Sequence, residues 1–399
     1  MFALTEEQQA VRTSMRRFAQ RELRWRARQL DTAPPGTVDW ELLRKSGDCG
    51  LLSAQLPPHY GGTMDRLSAA LATEELARWE AGVATLLASN SLAQTAVVLS
   101  GNQALMDRVF PEVVAGEERR EPVFWALGLT ERRVGSDLVH PLGVRSSRLM
   151  VTAKRRGDGY LLSGRKAYCA GGNVATWLSV FATVSDDRSP EGLTGFALPA
   201  STRGFHVSEV LSTMGLRACP LVEFYLENAY VPAAHLLTKE GGAAGLIQDL
   251  SAYGRCQGAA IAVGLARGAF ELARQHTLIR VQGGSPIVQH QMVQHMLADM
   301  ATQIEAARLL THKAAAAQPP QVVLSSMAKV FASDAAVKVA TDAVQIMGAY
   351  GTTGKSGAEK YFRDAKMTQI FEGTNEMCRL AITAPMLQYA GLGSLGGSD

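Results

Sequence analysis

The hydrophobic period changes twice along this chain, and that change limits the possible folds more than any other feature. In the first third, Val11, Met15 and Phe18 recur at helical spacing behind a plausible N-cap, Thr5, with Glu6 and Glu7 in the first turn. Pro34-Pro35-Gly36 breaks the pattern, and Pro57-Pro58 with Gly61-Gly62 marks a loop before a second helix at about 64–79. Phe110-Pro111 and Gly116 bracket a short turn of helix. The middle third carries short, often β-branched runs (149–153, 160–163, 178–184, 196–199, 205–209 and 222–226) separated by Gly, Asp and Ser clusters. Helical spacing then returns over 243–277, 288–317, 322–347 and 376–389. A length of 399 residues is too great for one small core. The expected architecture is multidomain α+β: an N-terminal helical domain over 1–122, a β-barrel or sandwich over 123–235, and a C-terminal four-helix bundle over 236–399. A Gly/Ser tail, Gly391 to Ser398, reads as frayed.

Charge and cysteine content remove several function classes. The 40 basic and 37 acidic residues leave a formal charge of +3, which argues against nucleic-acid binding. Arg24, Arg26 and Arg28 read as a solvated helix surface. Cys49, Cys169, Cys219, Cys256 and Cys378 are scattered without a CxxC pair, so neither zinc nor a disulfide framework is expected, and a reducing cytoplasm is. The acidic opening, with no basic stretch before an apolar run, argues against an export leader. Ala81 to Met106 lacks charge, but Ser89, Asn90, Ser91, Gln94 and Thr95 would be expensive in lipid. A buried helix lining a pocket fits that composition better. Asp299 and Glu305 read as a solvated face or as pairs between subunits, not as a metal site.

Six segments carry a resemblance. Leu129-Thr130-Glu131-Arg132-Arg133-Val134-Gly135-Ser136-Asp137 resembles the first signature of the acyl-CoA dehydrogenases, a flavoprotein family. Gly164-Arg165-Lys166-Ala167-Tyr168 is similar to the family's Gly-x-Lys-x-aromatic strand, and Met214-Gly215-Leu216-Arg217 with Val231-Pro232 to the exit of its β domain. Arg280 to Ile287 with Gln291, then Gln345 to Gly351, then Phe371-Glu372-Gly373-Thr374 complete the set, in order and over nearly the whole chain.

The resemblance implies FAD as cofactor and removal of two hydrogens from an acyl thioester. Glu372 would take the α proton, a role that an apolar pocket supports by raising a carboxyl pKa. Gly373 N–H would help polarise the thioester carbonyl. Leu127, Leu129, Thr130, Gly135 and Ser136 map to the flavin loop, and Tyr168 stands where the family usually has Trp. Arg280, Gln282, Gln291, Gln345, Gly348 and Ala349 map to the adenosine diphosphate half, which in the family is held partly by a neighbouring subunit; a homo-oligomer, dimer or tetramer, is therefore implied. Thr374 and Glu376 fall on the cofactor side, and Ser136, Arg255, Phe371 and Gly373 on the substrate side. The bland alternatives are a solvated loop acid for Glu372, a polar turn for the 130–136 loop and a core-packed strand aromatic for Tyr168.

Departures from the pattern bear on substrate. Ala170 stands where Thr usually meets the flavin N5, Gly283 where Phe is usual, Ala349 for the second Gly of Gln-x-x-Gly-Gly, and Ala252 where an Asp often assists coenzyme A. The pair Arg132-Arg133, with His140, is either solvated charge or a docking point for an acidic carrier protein or its phosphopantetheine. The stretches 250–255 and 372–379 are similar to biosynthetic family members that oxidise acyl groups on acyl carrier proteins. Oxidation of a 2-hydroxy- or 2-amino-acyl carrier thioester, a flavin monooxygenase and a non-catalytic scaffold stay as alternatives. An electron-transfer flavoprotein, or dioxygen, is the expected electron acceptor.

Overall fold

The computed structural model describes residues 4–140, 148–186 and 188–389. The glycine-rich tail lies outside them. The N-terminal region holds six helices: α1 (Glu6–Glu22), α2 (Arg26–Thr32), α3 (Trp40–Gly47), α4 (Arg66–Ala77), α5 (Ala81–Ser100) and α6 (Gln103–Glu118). Their starts follow local chemistry. Thr5 and Gln8 form a reciprocal capping box on α1, and Asp39, Asp65 and Asn102 accept N–H bonds at the starts of α3, α4 and α6. Helix α5 is long and apolar enough to cross a membrane, but most of it is buried inside the fold. It stops at Gly101, φ 66°, so the uncharged segment is one helix and the start of the next. Phe110-Pro111 and Gly116 do not bracket a short turn as expected; α6 runs through Pro111, because Val109, Phe110 and Val113 bury completely on the core.

The middle region is one seven-stranded sheet: β1 (Trp125–Gly128), β2 (Thr152–Arg156), β3 (Gly159–Ala170), β4 (Trp177–Thr183), β5 (Leu193–Pro199), β6 (Phe205–Leu211) and β7 (Leu221–Pro232). Strand β4 is the hub. It pairs parallel with β1 and β2 and antiparallel with β5, and every one of its residues is buried. Antiparallel β3–β7 and β6–β7 pairings carry the sheet outward. β3 breaks register between Lys166 and Cys169, which re-aims Tyr168.

The C-terminal region contains α7 (Ala243–Ile279), a small hairpin of β8 (Val281–Gln282) and β9 (Ser285–Pro286), then α8 (Gln291–Ala316), α9 (Val322–Gly351), α10 (Ala358–Thr368) and α11 (Asn375–Tyr389). The long helices pack through small side chains: Ala259, Ala262, Ala269, Ala328, Ala332, Ala336 and Ala343 are all buried in one cluster. Gly264 and Gly268 let α7 lie against the end of α4, since a Cβ there would meet Glu74 and Arg78 carbonyl oxygens at 2.5 and 2.4 Å. Short α10 adds a fifth helix to the expected bundle. The arginine triplet is corrected: Arg26 is buried between Glu22 and Asp39, while Arg24 and Arg28 are exposed.

Candidate active site

The loop 371–374 enters the core between α7, α9 and α11. Glu372 adopts φ 58° and Gly373 φ 82°, so two consecutive residues turn left-handed. For a glutamate this backbone is uncommon, and such strain concentrates at functional positions. Its carboxylate lies over α7. A Cβ at Gly254 would come within 1.9 Å of Glu372 Oε2, and one at Gly258 within 3.3 Å of the Phe371 ring. The glycines on that face of α7 thus open the space that Phe371 and Glu372 fill. Although part of Glu372 stays accessible, the protein packed around its carboxyl raises the pKa above the ordinary value; Lys329 and Arg255 pull it back down.

Two buried cations support the loop. Lys329 Nζ donates to Gly373 O and to Asn375 Oδ1, both at 2.8 Å. Arg255 is fully buried and donates to Ser326 Oγ at 2.9 Å. Its Nε and Nη2 have no hydrogen-bond partner, and Nη2 lies 3.6 Å from where a Cβ of Gly373 would stand. Among the residues predicted from the sequence, Arg255, Phe371, Glu372 and Gly373 are therefore brought together.

The 129–136 loop leaves the end of β1 and turns back through a bridge between Glu131 and Val134. It is pinned from below. Lys166 Nζ donates to Leu129 O and to Glu131 Oε1, at 2.9 and 3.0 Å, while Glu131 accepts the Met150 and Val151 N–H groups. Ala167 N–H donates to Thr130 O. At its far end, Ser136 Oγ accepts the Thr374 N–H at 3.2 Å, tying this loop directly to the one that carries Glu372. Leu127, Leu129, Ala170 and Phe371 pack on the same core cluster, each with part of its surface open. Tyr168 sits at the β3 bulge with φ 55° and 53% exposure, so it is not packed on the core.

These residues fit a flavin. The hydroxyls of Thr130 and Ser136 stand on a fixed loop, an open aromatic ring flanks it, and the unpartnered Arg255 atoms beside Gly373 await an acceptor. The more distant set behaves differently. Arg280, Gln282, Gln291, Gln345, Gly348 and Ala349 are all exposed, at the end of α7, in the hairpin, at the start of α8 and at a kink in α9 where Gly348 has φ 59°. Thr374 caps α11 through Met377 N–H, and Glu376 is exposed in its first turn. Arg132 is spent on Glu223 and Glu209, at 2.7 and 3.3 Å. Among the described residues no group of acidic, His and Cys side chains could hold a metal, and all five cysteines are free.

Sequence reasoning missed Lys329 and Asn375, and noted Glu131 and Lys166 only as letters of a motif. A signal for Lys329 was present. It shares one side of α9 with Ser325, Ala332, Ser333 and Ala336, all buried, and a lone charge on a buried stripe needs a partner.

Comparison with known proteins matches all three regions in order. The acyl-CoA dehydrogenase N-terminal, middle and C-terminal domain models fit residues 5–117, 126–229 and 244–387. A cyclohex-1-ene-1-carbonyl-CoA dehydrogenase of Geobacter metallireducens is 39% identical over 96% of this chain and 99% of its own. The butyryl-CoA dehydrogenase structure from Megasphaera elsdenii superposes with a TM-score of 0.88 at 32% identity, covering 97% of this chain and 100% of that one. The prolyl acyl carrier protein oxidase AnaB superposes at 0.86 with 26% identity, over 96% and 100%. With the helix–sheet–helix order, the paired loops and relatives of this identity over nearly the full length, this chain belongs to the acyl-CoA dehydrogenase family of FAD flavoproteins.

Proposed function

We propose that this oxidoreductase removes two hydrogens from adjacent carbons of an acyl-CoA thioester, with Glu372 as the base that takes the α proton. The observation that carries the reading is the desolvated Glu372 carboxylate on a strained backbone, tied through Thr374 to the loop bearing Ser136. An α proton of a thioester is acidic only while its carbonyl is polarised and water is kept away. The Gly373 N–H and the Arg255 atoms beside it supply donors on the carbonyl side. Leu129, Ala170 and Phe371 supply the dry walls. Thr130, Ser136 and Tyr168 would hold the isoalloxazine, and Arg280, Gln282, Gln291, Gln345, Gly348 and Ala349 the far half across an oligomer interface. FAD, when bound, supplies the acceptor for the β hydride.

Glu372→Gln tests the base. It should retain yellow flavin and lose α-proton abstraction by about a hundredfold or more, read as exchange of the thioester α proton with deuterated water. Exchange at the wild-type rate would reassign the base.

A second reading, oxidation of an acyl group on a carrier protein, is favoured by the likeness to the carrier protein oxidase. Against it, Arg132 is already committed to two carboxylates. Turnover of one acyl group presented on coenzyme A and on a carrier protein separates the two; equal rates remove the carrier reading. Substituting ferrocenium or dioxygen as oxidant identifies the electron acceptor class.

A further inference from the structure

Lys329 is fully buried on α9, yet none of its hydrogen bonds goes to a carboxylate. Its two acceptors are the Gly373 carbonyl and the Asn375 side-chain oxygen, which flank Thr374. The Gly373–Thr374 peptide is consequently held at both ends: its oxygen by Lys329, its N–H by Ser136. Asn375 is fixed in turn, donating to Ser333 Oγ at 2.9 Å and to Asp334 Oδ1 at 2.8 Å. Lys329, on a rigid helix, and Ser136 together therefore fix the plane of the peptide immediately after Glu372 and its glycine. A buried cation that no carboxylate neutralises also acts at a distance, and its field favours the ionised form of a nearby acid.

We infer that Lys329 is the positioning residue of the base: its ammonium fixes the 372–375 loop and, with Arg255, supplies the positive field in which Glu372 is ionised. This rests on Glu372 being the base. The charged and titratable groups facing Lys329 are Arg255 from α7, Asp334 on its own helix, Glu372 on the loop and Cys378 from α11, with Glu376 at the α11 start. Those bearing on Glu372 are Lys329 and Arg255. Burial lowers the Lys329 pKa to about 8, so it carries its charge at lower pH.

The test is the pH profile of α-proton exchange, using an acyl-CoA whose β carbon is replaced by sulfur. That ligand exposes the base step without net oxidation. Removing a cation raises a carboxyl pKa, so Lys329→Met should move the acid limb up by about one pH unit, with flavin content retained. Lys329→Gln removes the charge and keeps a polar donor, one atom shorter, toward Gly373 O; it should show the same shift. Lys329→Arg should return the limb toward wild type. A purely structural lysine would lower flavin content or protein yield and leave the limb unmoved. An unmoved limb in the folded Gln variant overturns the inference, even should the Met variant fail to fold. Glu372→Gln distinguishes the two levels: exchange lost there, with an unmoved limb in the Lys329 variants, rejects only the role of Lys329. Exchange surviving in Glu372→Gln rejects both.

Discussion

The protein buries two lysines under two adjacent loops and uses them in opposite ways. Lys166 lies under the 129–136 loop and Lys329 under the 371–375 loop; each is fully buried, and burial lowers the pKa of each to about 8. Lys166 meets a carboxylate, Glu131, that two backbone N–H groups also hold. Its charge is cancelled where it stands, and the pair is scaffold. Lys329 meets only neutral oxygens, so its charge reaches past its contacts to Glu372. Burial alone does not distinguish structure from chemistry; what neutralises the charge does.

The largest effect should come from breaking the scaffold pair. Lys166→Met leaves the Glu131 carboxylate buried without its cation, a change that costs about 3–5 kcal/mol. Adding Glu131→Gln should recover part of that loss: it removes the stranded charge, but its single amide oxygen replaces only one of the two carboxylate oxygens that accept the Met150 and Val151 N–H groups. Chemical denaturation with flavin-content measurement reads both. Lys329→Met should lose clearly less stability than Lys166→Met, because it strands no directly paired carboxylate. Equal losses would break the distinction drawn between the lysines.

An intermediate effect sharpens the same comparison at the base loop. An added methyl at Gly254 meets the far end of a flexible side chain, Glu372 Oε2. The side chain can swing away cheaply, and alanine in a helix gains up to about 1 kcal/mol over glycine. Gly254→Ala should therefore leave the melting temperature level or raised while α-proton exchange falls by about ten- to a hundredfold, the usual penalty for a misplaced reacting group. A stability loss without a rate loss would show that Gly254 serves packing instead.

Much of this arrangement was legible in the sequence. The change of period marked the three regions, and the motif around Glu372 identified the residue that the fold desolvates. Three features were not. Pro111 inside α6 is overridden by long-range burial of Val109, Phe110 and Val113, which outweighs the roughly 3 kcal/mol a helix-interior proline costs. Arg26 was grouped with Arg24 and Arg28, although Arg24 lies in the turn between α1 and α2, and Arg28, two residues further along α2, points to nearly the opposite side. Helical phase, not local charge density, sends Arg26 inward to Glu22 and Asp39. The third is the Lys329 contact, which joins residues 44 positions apart that only the packing of α9 against the loop brings together. The set from Arg280 to Ala349 has the opposite character: the motifs single it out, and each of its residues lies exposed on the surface.

The smallest expected effect lies at a third kind of buried charge. Glu22 is one carboxylate serving Arg21, Arg26 and Lys45, each at 2.8 Å. Burial pushes its pKa up, but the hydrogen bonds from Lys45, Arg21 and Arg26 outweigh that and hold it at about 2, below the ordinary 4.5. A depressed carboxyl pKa stabilises the fold above the unfolded value and stops doing so as pH falls through the folded one. The Glu22 contribution should thus be complete above about pH 5 and be lost between there and about pH 2. Glu22→Gln should cost about 1–2 kcal/mol at pH 7, more than an exposed pair because Arg26 is buried with it. The difference from wild type should shrink steadily in denaturation measured at pH 5, 4 and 3. A gap that stays constant over that range would mean that Glu22 acts through shape and neutral hydrogen bonds, and would place it with the scaffold contacts instead of the charge-dependent ones.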